Sequence, residues 1–133
     1  MAQLEQLLKD KDFLDDAVLA QCETLADDFN GVENSQVRKY FNDIKVLKRM
    51  IESGEADWNF IKIRLRLFLA QLAYAEKRSG SSVTSRFRRF FKVCLTKILQ
   101  DNSQEDNFQS VVRFAAFLEM VYAYYYAKPG RKG

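Results

Sequence analysis

Residues 34–53 read NSQVRKYFNDIKVLKRMIES, and the placing of their apolar side chains decides the fold class. Val37, Tyr40, Phe41, Ile44, Leu47 and Ile51 recur at three- and four-residue intervals, the spacing of one face of an α-helix. Asn34 stands where a helix cap belongs, and Gly54 follows as the stop. The same period recurs on either side of this stretch, and strand-like alternation does not. Leu14, Val18, Cys22, Leu25 and Phe29 share a face over a helix expected from Asp15 to Phe29, with a weaker helical turn before it at Leu4–Leu8. A third helix opens near Asp57 and reaches Ser79. It is apolar on most sides, which predicts the central buried helix. A fourth starts at Ser82–Thr84 and turns Phe87, Phe90, Phe91, Cys94, Leu95 and Ile98 inward. The last follows Ser103, whose i+3 partner Asp106 resembles a capping box, and runs to about Lys128, where Pro129 stops it. The expectation is an all-α fold: a compact bundle of about five helices in a single domain, residues 1–133, with short connections between antiparallel neighbours.

A chain of 133 residues is long enough to close one core. It contains no histidine, which removes the commonest general base and metal ligand and every imidazole-based triad. No catalytic residue, metal site or cofactor is expected. Cys22 and Cys94, far apart among apolar helical positions, read as buried free thiols. The two most apolar segments are broken by Lys62, Arg64 and Arg66 and by Arg113 and Glu119, so no membrane span is expected. The opening residues lack signal-peptide form. These features predict a cytoplasmic protein with no membrane partner.

Charge carries more information. The net of +3 conceals an uneven distribution: residues 1–33 hold nine acidic and two basic side chains, residues 34–133 nine acidic and nineteen basic. Such separation suggests a polyanion-binding body behind an acidic lead segment. At about 100° per residue, Arg38, Lys45 and Arg49 share a stripe on the second long segment, and Lys62, Arg66 and Lys77 on the next, with Ala70 and Ala73 between the charges. Arg86, Arg88, Arg89, Lys92 and Lys97 occupy the face opposite the phenylalanines of the fourth. Exposed basic residues are what any solvated helix face needs. Two details argue for more. Between Val37 and Gln100 fifteen basic residues meet five acidic ones, so most lack a local partner. Arg86, Arg88 and Arg89 also stand in the opening turns of a helix, where the macrodipole disfavours cations by about 0.3–1 kcal/mol each. The turn SGSSVTS, residues 79–85, adds hydroxyls and backbone N–H groups at a helix start, which can hold an anion. It is not a P-loop. With no sequence-reading motif in view, binding would follow phosphates and shape rather than base identity.

Most of the phenylalanine and tyrosine residues fall on inward stripes and read as core. The terminal YAYYYAK, residues 122–128, is different: Tyr122 and Tyr125 share a face while Tyr124 and Tyr126 point elsewhere, which suggests a protein contact.

Three stretches together, NSQVRKYFNDIKVLKR, LAQLAYAEKRSG and FQSVVRFAAFLEMVYAYYYAK, resemble the small subunit of the type III-A (Csm) CRISPR effector complex over roughly Asn34 to Lys128. The resemblance implies a helical, non-catalytic subunit that stacks with copies of itself in a minor filament and contacts crRNA and target RNA through a basic face, among other subunits of the complex. It implies RNA contact at Arg38, Arg49, Lys62, Arg66, Arg78 and Arg89. The charge pattern adds Lys45, Lys77, Arg86 and Lys92. Residues 1–33 carry least of the family pattern, and residues 129–133 form a basic tail. Sequence-blind contact with phosphates is what a subunit serving any guide requires.

A protein-interaction module without RNA is the alternative, one that self-associates as a filament or dimer or whose basic faces meet acidic surfaces, residues 1–33 of a neighbouring copy among them. An enzyme fits poorly. The pairs Asp15–Asp16 and Asp27–Asp28 point about 100° apart on a helix, which makes a poor metal clamp.

Overall fold

The period read from residues 34–53 is realised as one uninterrupted helix. In the computed structural model, which describes residues 2–100 and 104–128, the chain forms α1 (Ala2–Asp10), α2 (Asp16–Leu19), α3 (Cys22–Leu25), a 3-10 turn (Ala26–Phe29), α4 (Asn34–Glu52), α5 (Trp58–Lys77), α6 (Ser85–Leu99) and α7 (Gln104–Ala127). The class is all-helical as expected. The described residues hold seven α-helices rather than about five, and the difference lies in the N-terminal third. There the expected helix Asp15–Phe29 is three short pieces, and the weak turn at Leu4–Leu8 is a full helix. Asp15 caps α2 by accepting from the Ala17 N–H at 2.9 Å. The tightened turns that follow carry Phe29 into a ring cluster with Phe87, Phe90 and Tyr125, at centroid separations of 4.9, 5.1 and 5.9 Å. Packing of that ring outweighs the regularity of a single helix.

Helix ends follow local chemistry. Asp57 caps α5 through the Phe60 N–H at 2.9 Å, and Thr84 caps α6 through the Phe87 N–H at 3.2 Å. At the end of α4 the Glu55 N–H donates to the Met50 carbonyl at 3.0 Å and the Gly54 N–H to that of Ile51 at 3.2 Å. This is a Schellman closure, and it holds Gly54 at φ +74°, a conformation that favours glycine. Asn34 is the first residue of α4 rather than its cap. Glu33 takes the cap position without a side-chain hydrogen bond, and the Asn34 amide instead donates to the Tyr126 hydroxyl at 2.8 Å. The expected cap at Ser103, the stop at Pro129 and the basic tail lie outside the described residues.

One apolar core runs through the whole bundle, from Leu4 and Leu8 to Tyr125. Its centre is α7, which packs against α3, the 3-10 turn, α4, α5 and α6. This corrects the expectation that α5 is the central helix. α5 buries one face, Ile61, Leu65, Phe68, Leu72 and Ala75, and leaves Phe60, Ile63, Leu67 and Tyr74 exposed. The terminal tyrosines mostly pack within the chain. Tyr125 is fully buried, its hydroxyl donating to the Val32 carbonyl at 2.9 Å, and Tyr122 lies 4.6 Å from the Phe41 ring. Only Tyr124 of the four is largely exposed, at 44%. Cys22 and Cys94 are buried free thiols. Burial pushes the Cys22 thiol up to about 11 and that of Cys94 well above its usual value. Among the described residues no helix is long and apolar enough to cross a membrane.

Candidate nucleic-acid interface

α6 presents its basic residues on three sides, and the structure gives each side a different fate. Arg86 reaches the nearly buried Asp28, donating to one carboxylate oxygen at 2.8 and 3.2 Å. Arg88 donates to Glu76 of α5 at 3.2 Å. Both sit in the unfavourable first turns of α6, and these two carboxylates compensate the dipole penalty. The position of these arginines therefore has an internal explanation that sequence spacing could not supply, since Asp28 lies 58 residues away.

The start of α6 is likewise occupied. Thr84 satisfies the helix N–H of Phe87, Ser82 accepts from the Glu33 N–H at 2.8 Å, Ser81 accepts from the Val83 N–H at 3.2 Å, and Ser85 donates to Glu76. The Ser85 hydrogen bond, ahead of the Arg88 charge, holds the Glu76 carboxyl below the usual carboxylate range. A carboxylate of the chain itself thus sits at the helix terminus that the sequence offers to an external anion.

Arg89 and Lys92 have a different setting. With Lys97 they line a groove of about 380 Å³ between α6 and α1, whose opposite wall brings Lys9 and Glu5. Four cations face one carboxylate there. Leu8 and Val93 form an apolar floor, and Thr96 and Gln100 add polar groups. Arg89, Lys92, Thr96 and Gln100 follow helical spacing, which made the α6 wall legible in the sequence. Lys9 was missed because it belongs to the acidic lead segment, and only the packing of α1 on α6 turns it toward this groove.

The strips on the other helices do not all meet this groove. On α4 the side toward α7 carries Arg38, whose guanidinium donates to the Tyr126 hydroxyl at 3.3 Å, and Lys45 lies over the Phe41 ring at 5.3 Å. Hydrogen bonding to Tyr126 and then Tyr122 raises the Arg38 pKa further above its ordinary value. The Asn34 amide is the largest influence lowering that of Tyr126, while burial pushes Tyr122 up to about 12. Arg49 is exposed one turn beyond Lys45. The side of α4 toward α5 carries Lys39, Asp43, Val46 and Met50 instead. On α5, helical spacing places Lys62, Arg66 and Lys77 on the side of Glu76 and therefore toward α6, with Arg64 on the side toward α4. Burial is the first cause raising the Tyr40 pKa, and the opposing charge of Arg78 places that guanidinium within electrostatic reach of α4. The α5 and α6 strips adjoin, whereas the α4 strip faces the other flank of the bundle.

The acidic segment is bound in cis. Asp12 pairs with Arg113 at 3.5 Å, Asp27 with Lys128, and Asp28 with Arg86. Residues 1–33 also supply Leu4, Phe13, Val18, Leu25 and Phe29 to the core. The segment is a structural part of the bundle, and its removal would open that core rather than release a tail. Among the described residues no group of acidic and cysteine side chains gathers as a metal site.

Fold and surface together define an all-helical bundle with cationic strips on its α5–α6 and α4 flanks. The family model described as Csm2 Type III-A matches residues 15–130, and the chain belongs to that family, the small structural subunit of the type III-A CRISPR effector complex. The match leaves α1 outside it. No curated protein and no solved structure matches the chain.

Proposed function

We propose that this subunit contacts the phosphates of guide and target RNA, without regard to sequence, along the α5–α6 flank of the bundle. The observation that carries this reading is the α1–α6 groove, where Arg89, Lys92, Lys97 and Lys9 face a single carboxylate. Like charges three or four residues apart on a helix cost free energy, and a polyanion lying along them recovers it. Lys62, Arg66 and Lys77 extend the same flank, with Arg78 at the end of α5. Arg38, Lys45 and Arg49 form a second strip on α4, and Arg86 contributes its exposed edge while held by Asp28. The chemistry of the complex belongs to other subunits in this reading, and stacking beside further copies in a minor filament completes it.

Isolated protein should bind RNA with log affinity falling against log salt by about 0.7 per neutralised phosphate on a single strand. The triple variant Lys9→Glu, Arg89→Glu, Lys92→Glu should flatten that slope by about 2 while its far-ultraviolet spectrum stays that of the parent. A slope identical to wild type would remove the groove from the RNA path.

A further inference from the structure

The exposed face of α5 carries a pattern that the RNA reading leaves unused. Phe60, Ile63, Leu67, Ala70 and Tyr74 stand at intervals of three and four residues, the a/d register of a coiled-coil seam held over two heptads. The structure leaves this seam uncovered: Phe60 is 41% exposed, Ile63 57%, Leu67 44% and Tyr74 66%. Val46 of α4, at 41%, continues it across a groove of about 360 Å³ floored by Leu47, Met50 and Phe68. Scattered apolar residues on a surface mean little, but a seam in register with a hole beside it has the form of a helix-packing site. Its length, about 21 Å from Phe60 to Tyr74, suits a partner helix of roughly four turns.

Charge selects the partner. Lys62, Arg66 and Lys77 lie along one flank of the seam and Arg64 along the other. The sole acidic residue of α5, Glu76, is engaged by Ser85 and Arg88. Two α5 helices laid seam to seam would set basic flank against basic flank in either orientation, a repulsive arrangement. Among its described residues the acidic segment of a second copy offers one large exposed apolar residue, Leu14, too little to fill two heptads. RNA is a poor occupant as well. Ile63, Leu67 and Val46 have no ring on which a base can stack, the Arg64 guanidinium already lies over the Phe60 ring at 5.8 Å, and Tyr74 alone offers an open ring, at one end of the seam. We infer that the α5 seam docks an amphipathic helix of a different polypeptide, one whose apolar stripe is flanked by Glu and Asp. The apolar seam takes no part in the RNA reading, whereas its basic flank of Lys62, Arg66 and Lys77 is shared with it. Variants of the apolar residues alone, which leave those cations in place, tell the failure of one reading from the failure of the other.

Two measurements test it. The first uses the full-length chain and a synthetic 18-residue helical peptide with Leu at a and d and Glu at e and g. The expected result is binding at least tenfold tighter than for the same peptide with Lys at e and g, lost in Ile63→Asp, Leu67→Asp protein. Equal affinity for the two peptides, or binding untouched by that variant, overturns the proposal. The second places a benzophenone amino acid at position 63 in the assembled effector complex. Crosslinking to an acidic helical segment of another protein subunit is expected. Crosslinks to RNA, to a second copy of this chain, or to nothing overturn it. RNA affinity of an Ile63→Ser, Leu67→Ser protein, which adds no charge beside Lys62 and Arg66, measured in parallel, should stay within about twofold of wild type.

Discussion

α5 and α7 look alike as strings of letters and behave oppositely as helices. Both are apolar over most of their circumference, and both are interrupted by a few charges. α7 buries Val111, Phe114, Phe117, Leu118, Val121 and Tyr125 completely or nearly so against partners on several sides. α5 buries one stripe and presents another to solvent. The difference teaches that apolar residues around a whole helix announce burial without saying by what. For α7 the cover is the rest of this chain. For α5 half of the cover is intramolecular, and we assign the other half to a partner helix.

The sharpest way to break that contrast is to cut into each helix and compare. Phe114→Ala removes a fully buried ring in contact with Phe13 and Phe91 and should cost about 3–5 kcal/mol in urea unfolding. Ile63→Asp on the seam should change stability by only about 0.5 kcal/mol. Comparable losses at the two sites would mean that α5 is covered after all.

A smaller effect concerns how a peripheral helix stays in place. α5 is fastened at its ends, and Gly54 forms the turn that leads into it. A Cβ at Gly54 meets no atom within 4 Å, so the cost of Gly54→Ala is purely conformational, about 1 kcal/mol for a left-handed alanine. A loss well above that, read from the thermal midpoint, would point to a contact rather than to backbone strain. The smallest effect lies at the other end. Because Glu76 has a lowered pKa in the folded state, its contribution is present above the usual carboxylate value of about 4.3 and is lost as pH falls through the lower folded value. Glu76→Gln should therefore lower the urea midpoint slightly at pH 7 and converge with wild type in acid. A difference that persists unchanged at pH 3 would reject the charge as its cause.

Much of the fold was open to inspection in the letters. The stripe of α4, the inward phenylalanines of α6, the opening of α5 near Asp57 and the stop at Gly54 depend on residues within one or two turns of each other, and the structure reproduces them. The misreadings share a different cause. The expected helix from Asp15 to Phe29 breaks because Phe29 is drawn into a ring cluster formed by α6 and α7. Asn34 leaves its cap position for a hydroxyl 92 residues away. The candidate interface divides in the same manner. Helical spacing grouped Arg89 with Lys92 and Lys62 with Arg66, but it could not find the carboxylates that hold Arg86 and Arg88 or bring Lys9 to the groove.

By itself the amino-acid order determined the helical class, the inward faces of most helices, the absence of imidazole chemistry and the resemblance to the small CRISPR subunit. These follow from interactions of short range along the chain or from composition alone. Only the tertiary structure decided which apolar helix is central, which cations are already paired, and that the acidic lead segment is built into the core. Those outcomes depend on contacts between residues tens of positions apart, where the balance of packing and charge exists only once the helices have met.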